Sequence, residues 1–164
     1  ACEAHKKEIV MWCLEHGYEL STSHTAIAAQ SSLEMVKFLR EDLNCPWDES
    51  TCTRAAYCGK LDILKWARAR DCPWDEETIN EGARKGNMEL LEWARANGAP
   101  WSSGACNIAA DPYLPNNSFE ALRWLVDNGC PIDVDHVKRT IGRTFTGGKK
   151  YVEIRAWLNT LTVG

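Results

Sequence analysis

Several things are scarce in this chain, and each scarcity removes a class of function. No window approaches the ~18 consecutive apolar residues of a membrane-spanning helix, so membrane insertion is not expected. Charge of neither sign dominates: 19 Lys and Arg stand against 23 Asp and Glu, a net −4, which gives no reason to expect a polyanionic partner. There is no C-x-x-C pair, and none of the 4 histidines has a Cys partner at ligand spacing, so the usual zinc frameworks are excluded. Gly147-Gly148-Lys149-Lys150 lacks the G-x-x-x-x-G-K-[ST] frame that cradles phosphates and reads as a loop. The chain opens Ala-Cys-Glu without Met or an apolar leader and enters a helical pattern at once. The expectation there is a trimmed or processed start in a longer protein.

What is present is Trp and Cys. The 8 tryptophans outnumber the 3 Phe and 4 Tyr together, and there are 8 cysteines, at 2, 13, 45, 52, 58, 72, 106 and 130. Cys45, Cys72 and Cys130 each precede a proline, while Cys52 and Cys106 stand at matching places in other segments. Cysteines that recur in this way behave as small hydrophobes in a packed spine. Reduced, buried thiols are expected, and with them a cytoplasmic or nuclear, reducing compartment.

The recurrence is general. An aromatic anchor returns at Trp12, Phe38, Trp66, Trp93, Trp124 and Trp157, in steps of 26, 28, 27, 31 and 33 residues. A Pro-Trp joint returns at Pro46-Trp47, Pro73-Trp74 and Pro100-Trp101, weakened to Pro131-Ile132. Self-similarity at such a period marks a repeat architecture. The 164 residues suit one domain of six copies, approximately 1–19, 20–46, 47–73, 74–100, 101–131 and 132–164.

Each copy reads as two short helices. In the third, Asp48 or Ser50 can cap the first helix. Cys52, Ala55 and Ala56 then give a narrow face of small residues, which lets another helix approach closely. Gly59 ends that helix; Leu61, Ile63, Leu64, Trp66 and Ala67 make the second one broadly apolar, and proline after the joint cysteine turns the chain. One such pair cannot bury its apolar face alone, whereas stacked pairs can, which is a solenoid. The tryptophans are expected to interleave between its layers. The last copy is degenerate, with Arg155 where Leu64 or Leu91 stood, as a capping copy should be.

Thr51–Trp66, "TCTRAAYCGKLDILKW", resembles the ankyrin pattern of a Thr-led first helix, an Ala pair, Gly and an apolar second helix. Thr78–Trp93 is similar, with Gly82-Ala83 in the Ala-pair position. The likeness covers most of the chain, clearest over 21–130. It is nearest to the short, Cys-Pro-Trp-jointed ankyrin-like repeat found in large DNA viruses, oomycetes and algae. The resemblance implies an all-α, ankyrin-like helical-repeat solenoid that binds other proteins. Its β-hairpin fingers are expected to be shortened or absent, because the period is near 27 rather than about 33.

The expected function is therefore a non-catalytic protein–protein interaction scaffold, with no catalytic residues, no metal, no cofactor and no small-molecule substrate. Its partner, another protein, should meet the first-helix residues left between the small core positions: Thr53, Arg54 and Tyr57, then Asn80, Glu81 and Arg84, then Asn107, Ile108 and Asp111. Residues 111–117, "DPYLPNN", lengthen the fifth copy and add Tyr113 and Leu114, since insertions in repeat proteins map to loops on one, often binding, face. Two rival classes stay open. One is a structural subunit held permanently in a larger assembly, which would carry an exposed apolar strip. The other is a nucleic-acid binder using Lys138, Arg139, Arg143, Lys149 and Lys150, disfavoured because no aromatics interleave with them.

Overall fold

The computed structural model describes residues 2–111, 113, 119–144 and 149–161, with the backbone alone for Cys2, Arg143, Thr144 and Lys149 to Tyr151. Among these residues every regular element is helical and there is no β-strand. The helices are α1 (Cys2–Glu15), α2 (Thr22–Ala28), α3 (Leu33–Lys37), α4 (Glu49–Tyr57), α5 (Leu61–Arg68) and α6 (Glu76–Lys85). They continue with α7 (Met88–Ala96), α8 (Ser103–Ala109), α9 (Phe119–Asp127), α10 (Val134–Thr144) and α11 (Lys149–Thr160). A π-turn, Phe38–Asp42, prolongs α3. No helix among the described residues is long and apolar enough to cross a membrane. The chain divides into two compact bodies, Ala1–Thr78 and Ile79–Gly164, and the division falls inside α6.

Short polar side chains start the first helices. Asp48 accepts the Ser50 amide at 3.0 Å, which chooses Asp48 over Ser50 as the cap of α4. Hydrogen bonds from the Ser50 and then the Thr22 side chain hold the Asp48 carboxyl below its usual range. Asp75 caps α6 through the Glu77 amide at 3.1 Å, and Ser102 caps α8 through Gly104. At α2 the Ser21 amide donates to His24 Nδ1 at 3.0 Å, so this histidine serves the helix start.

In the N-terminal body α2 packs on α3, α4 on α5, and α2 against α4. Small residues make this possible: Ala28, Ala29, Ala55 and Ala56 are all buried, as is Cys52. Behind them Val36, Leu39, Ile63, Leu64 and Ala67 fill the interior. In the C-terminal body α8 packs on α9, α10 on α11 and α10 against α8. There Gly82 takes the Ala position because a Cβ would stand 2.8 Å from Leu90 Cδ2 and 3.0 Å from Leu91 Cδ2. In the last copy Ile154 and Leu158 are buried, and Arg155 is exposed.

The turn after each second helix has one construction. A residue with positive φ ends the helix: Asp71 (59°), Gly98 (83°) and Gly129 (83°). The next amide reaches back five residues, from Cys72 to the Ala67 carbonyl (3.1 Å), from Ala99 to Ala94 (3.0 Å) and from Cys130 to Leu125 (2.9 Å). The joint thiol then donates to the carbonyl of the cap residue that began its own copy: Cys45 to Ser21 (3.4 Å), Cys72 to Asp48 (3.6 Å) and Cys130 to Ser102 (3.3 Å).

An arginine one turn before the joint completes it. Arg40, Arg68 and Arg95 donate to the carbonyls of Cys45, Cys72 and Ala99. Each guanidinium also covers the face of the next tryptophan: Arg40 on Trp47 at 4.6 Å, Arg68 on Trp74 at 4.3 Å and Arg95 on Trp101 at 4.0 Å. The weakened joint loses both partners together, with Val126 at the arginine position and Ile132 at the tryptophan position.

The tryptophans differ from expectation. None of the 8 is fully buried: Trp12 is 55% exposed and the others are half-buried. Joint and anchor rings pair within a copy, Trp47 with Trp66 at 6.0 Å and Trp101 with Trp124 at 6.3 Å, both edge-on. Aliphatic side chains and alanine fill the space between helices, and the wide rings close its rim.

The π-turn answers a counting problem. Anchor and proline are 8 residues apart at Phe38–Pro46 but 7 apart at Trp66–Pro73, Trp93–Pro100 and Trp124–Pro131. The additional residue is absorbed by the wider turn, in which the Leu43 amide bonds to the Phe38 carbonyl at 3.2 Å, and the positive φ moves one place on to Asn44. Deleting exposed Asp42 should therefore restore the common spacing and change unfolding free energy by less than about 1 kcal/mol. Deleting Arg70, at the matching place in the next copy, should cost about 3 kcal/mol or more, on the scale of the large single-residue effects. Urea unfolding of both deletions checks this.

Candidate partner-binding surface

The first-helix residues are held on α4, α6 and α8 by the buried face of each helix. On α4, Arg54 and Tyr57 are exposed and lie one position to either side of the buried pair Ala55-Ala56. Thr53 is half-buried, its hydroxyl 3.5 Å from Asp75 Oδ1, so it supports the next cap more than it faces solvent. In the C-terminal body Glu81 and Arg84 form an ion pair at 3.2 Å one turn apart on α6. Asn107 and Ile108 on α8 are half-buried. Asp111 accepts the Tyr113 amide at 2.9 Å, and Tyr113 is 79% exposed. Leu114 and the rest of the insertion, 112 and 114–118, lie outside the described residues.

Asn80 is the exception. It is 4% exposed, and its amide atoms lie 3.6 Å from where a Cβ on Gly104 would be. It is placed inside the C-terminal body, not on its surface. Thr53, Asn80 and Asn107 occupy the same repeat position, directly after Cys52, Ile79 and Cys106, where the helix turns toward its neighbour. Exposure at that position cannot be read from residue type, since short polar side chains fit either place.

The sequence did not point to an apolar groove of about 330 Å³ in the N-terminal body, between α1, α2, α3 and the π-turn. Ile9, Val10, Ile27, Ala28, Met35 and Leu39 form its walls, with Lys6, His24 and Ser31 at the edge. Ile9 is 50% exposed, whereas Met35 and Ile63, at the matching place before their anchors, are buried. That comparison of equivalent positions was available in the sequence, given the further step that a first copy has a neighbour on one side only. Nearby, Trp12 stacks on His16 at 3.9 Å.

Of the basic residues near the C-terminus, Lys138 is half-buried and Arg139 exposed, while the side chains of Arg143, Lys149 and Lys150 lie outside the described set. Among the described residues no group of three His, Cys, Asp or Glu side chains is placed to hold a metal ion.

If Asn80 is interior and Arg54 and Tyr57 are surface, their truncations should separate in stability. Asn80→Ala should lower unfolding free energy by about 1–3 kcal/mol, while Arg54→Ala and Tyr57→Ala should each change it by no more than about 0.5 kcal/mol. Denaturant titration of the three variants checks the assignment. Comparison of the chain with protein-family models, with curated proteins and with solved structures found no match.

Proposed function

We propose that the chain is a non-catalytic protein-interaction module, an ankyrin-like solenoid of short helix pairs that presents a partner-binding surface on its first helices. One contrast within those helices supports the reading. The successive pairs Ala28-Ala29, Ala55-Ala56, Gly82-Ala83 and Ala109-Ala110 are all buried and nearly identical. The residues immediately before them are Ile27, Arg54, Glu81 and Ile108; those immediately after are Gln30, Tyr57, Arg84 and Asp111. Packing accounts for the constant pairs. It does not account for flanking positions that change in charge, size and polarity from copy to copy, as a surface that recognises a specific partner would. Arg and Tyr, on α4, are also residue types enriched at binding hot spots.

The test uses the whole chain as bait with quantitative mass spectrometry of bound proteins. Arg54→Glu combined with Tyr57→Ala should weaken capture of the specific partner at least tenfold, or ~1.4 kcal/mol. The thermal midpoint should move by less than about 2 °C, since both side chains are at the surface. Unchanged capture by that variant would contradict this placement of the site.

A second reading has its own observation. Ile9 and Ile27 are exposed and line the same apolar groove of the N-terminal body, surface of the kind a permanent structural subunit would bury against its assembly. Light scattering of native material separates the two. A free adaptor runs mainly as a monomer and exchanges its partner; a subunit remains in one large complex.

A further inference from the structure

The apolar groove of the N-terminal body has a counterpart one copy further on. Its walls are Ile9 on α1, Ile27 and Ala28 on α2, Met35 on α3 and Leu39 on the π-turn. The matching places in the next copy are Met35 on α3, Arg54 and Ala55 on α4, and Ile63 and Ala67 on α5. There the trough is filled: α2 packs on both α3 and α4, and Met35, Ala55, Ile63 and Ala67 are at most 7% exposed. In the C-terminal body α8 packs in the same way on α9 and α10. The groove itself stays open. His24, at its edge, is exposed, whereas Thr51 and Thr78 at the same repeat position are fully buried.

We propose that this groove is the docking site for one α-helix of a partner protein, a helix of the α2 type: about two turns long, with two adjacent small residues on the face that packs. The site is separate from the Arg54 and Tyr57 surface, since neither residue lines it. It deepens the second reading above by naming the occupant of the groove, and it does not need the assembly to be permanent.

The repeat sets the terms for that occupant. The helices that fill the matching troughs carry Ala28-Ala29 and Ala109-Ala110, and both pairs are buried. Side chains of that size let a helix sink between its neighbours, whereas leucine at the same places would hold the axes apart. A second copy of this chain has no such helix to give. The small pairs of α2, α4, α6 and α8 are already buried, and α10 carries Thr140-Ile141 in their place. Among the described residues that line the groove none is acidic, and Lys6 stands exposed at its edge. A carboxylate on the flank of the incoming helix therefore suits the groove better than a second cation.

The probe is a synthetic peptide of residues 21–31, stapled between positions 23 and 27 to hold it helical; both positions are exposed on α2. It is titrated into the whole chain, and the methyl resonances of Ile9, Val10, Ile27, Met35 and Leu39 are followed by NMR. These should shift together and saturate. A peptide with Ala28→Leu and Ala29→Leu should bind at least tenfold more weakly. An Ile9→Glu chain of unchanged helical content should lose affinity for the first peptide by as much. Arg54→Glu with Tyr57→Ala in the chain should leave peptide binding as it was, so that this site and the first-helix surface fail separately. Groove methyls unmoved at millimolar peptide, or equal binding of the leucine peptide, would overturn the proposal. So would either of two reassignments: dodecanoate shifting those methyls where the peptide does not, or self-association of the chain alone that Ile9→Glu abolishes.

Discussion

The interaction on which the rest depends is the clamp at each chain reversal, where an arginine is held between a carbonyl and an indole. A helix that ends on a positive-φ residue leaves carbonyl groups without intrahelical partners, and these are costly if buried. The back-bonding amide of Cys72 satisfies one, on Ala67, and Arg68 satisfies the carbonyl of Cys72 itself. The same guanidinium lies on Trp74, so one side chain fixes the exit of one helix pair and the entry of the next. Arg suits this place better than Lys, because a planar fork can donate in its plane while stacking on a ring. The joint that lacks the arginine also lacks the tryptophan, at Val126 and Ile132, as expected if neither is useful alone.

From that clamp the helix packing follows. With the reversal fixed, first helices within each body approach on alanine and cysteine, and aliphatic residues of the second helices fill the space behind them. Packing there is tight enough that Gly82 cannot carry a Cβ without displacing Leu90 and Leu91. The slack in the design lies elsewhere, in the π-turn that stores one residue. The surface positions of the first helices are therefore free to differ, since neither the clamp nor the core uses them.

Much of this was legible in the sequence. Helix pairs, a cap at Asp48 or Ser50, the helix end at Gly59 and the buried joint cysteines all follow from local rules that the repeats state several times over. The clamp was not, because Arg68 reads as an ordinary basic residue in a last helical turn and its carbonyl partner has no signature. Tryptophan was assigned to the space between layers on its size, but a broad ring does not fit an interior spaced by alanine. Of the residues expected by elimination to be exposed, Arg54 and Tyr57 are. Asn80 is not, because its neighbour across the packing is Gly104, whose missing side chain leaves room for it.

The most direct test of the clamp is a double-mutant cycle on Arg68 and Trp74, with Arg68→Ala, Trp74→Ala and the double variant compared by equilibrium unfolding. A guanidinium shared between the ring and the joint predicts a coupling of about 0.5–2 kcal/mol, the double variant losing less than the two single losses added together. Strict additivity would contradict it and would leave the arginine and the tryptophan as independent surface residues.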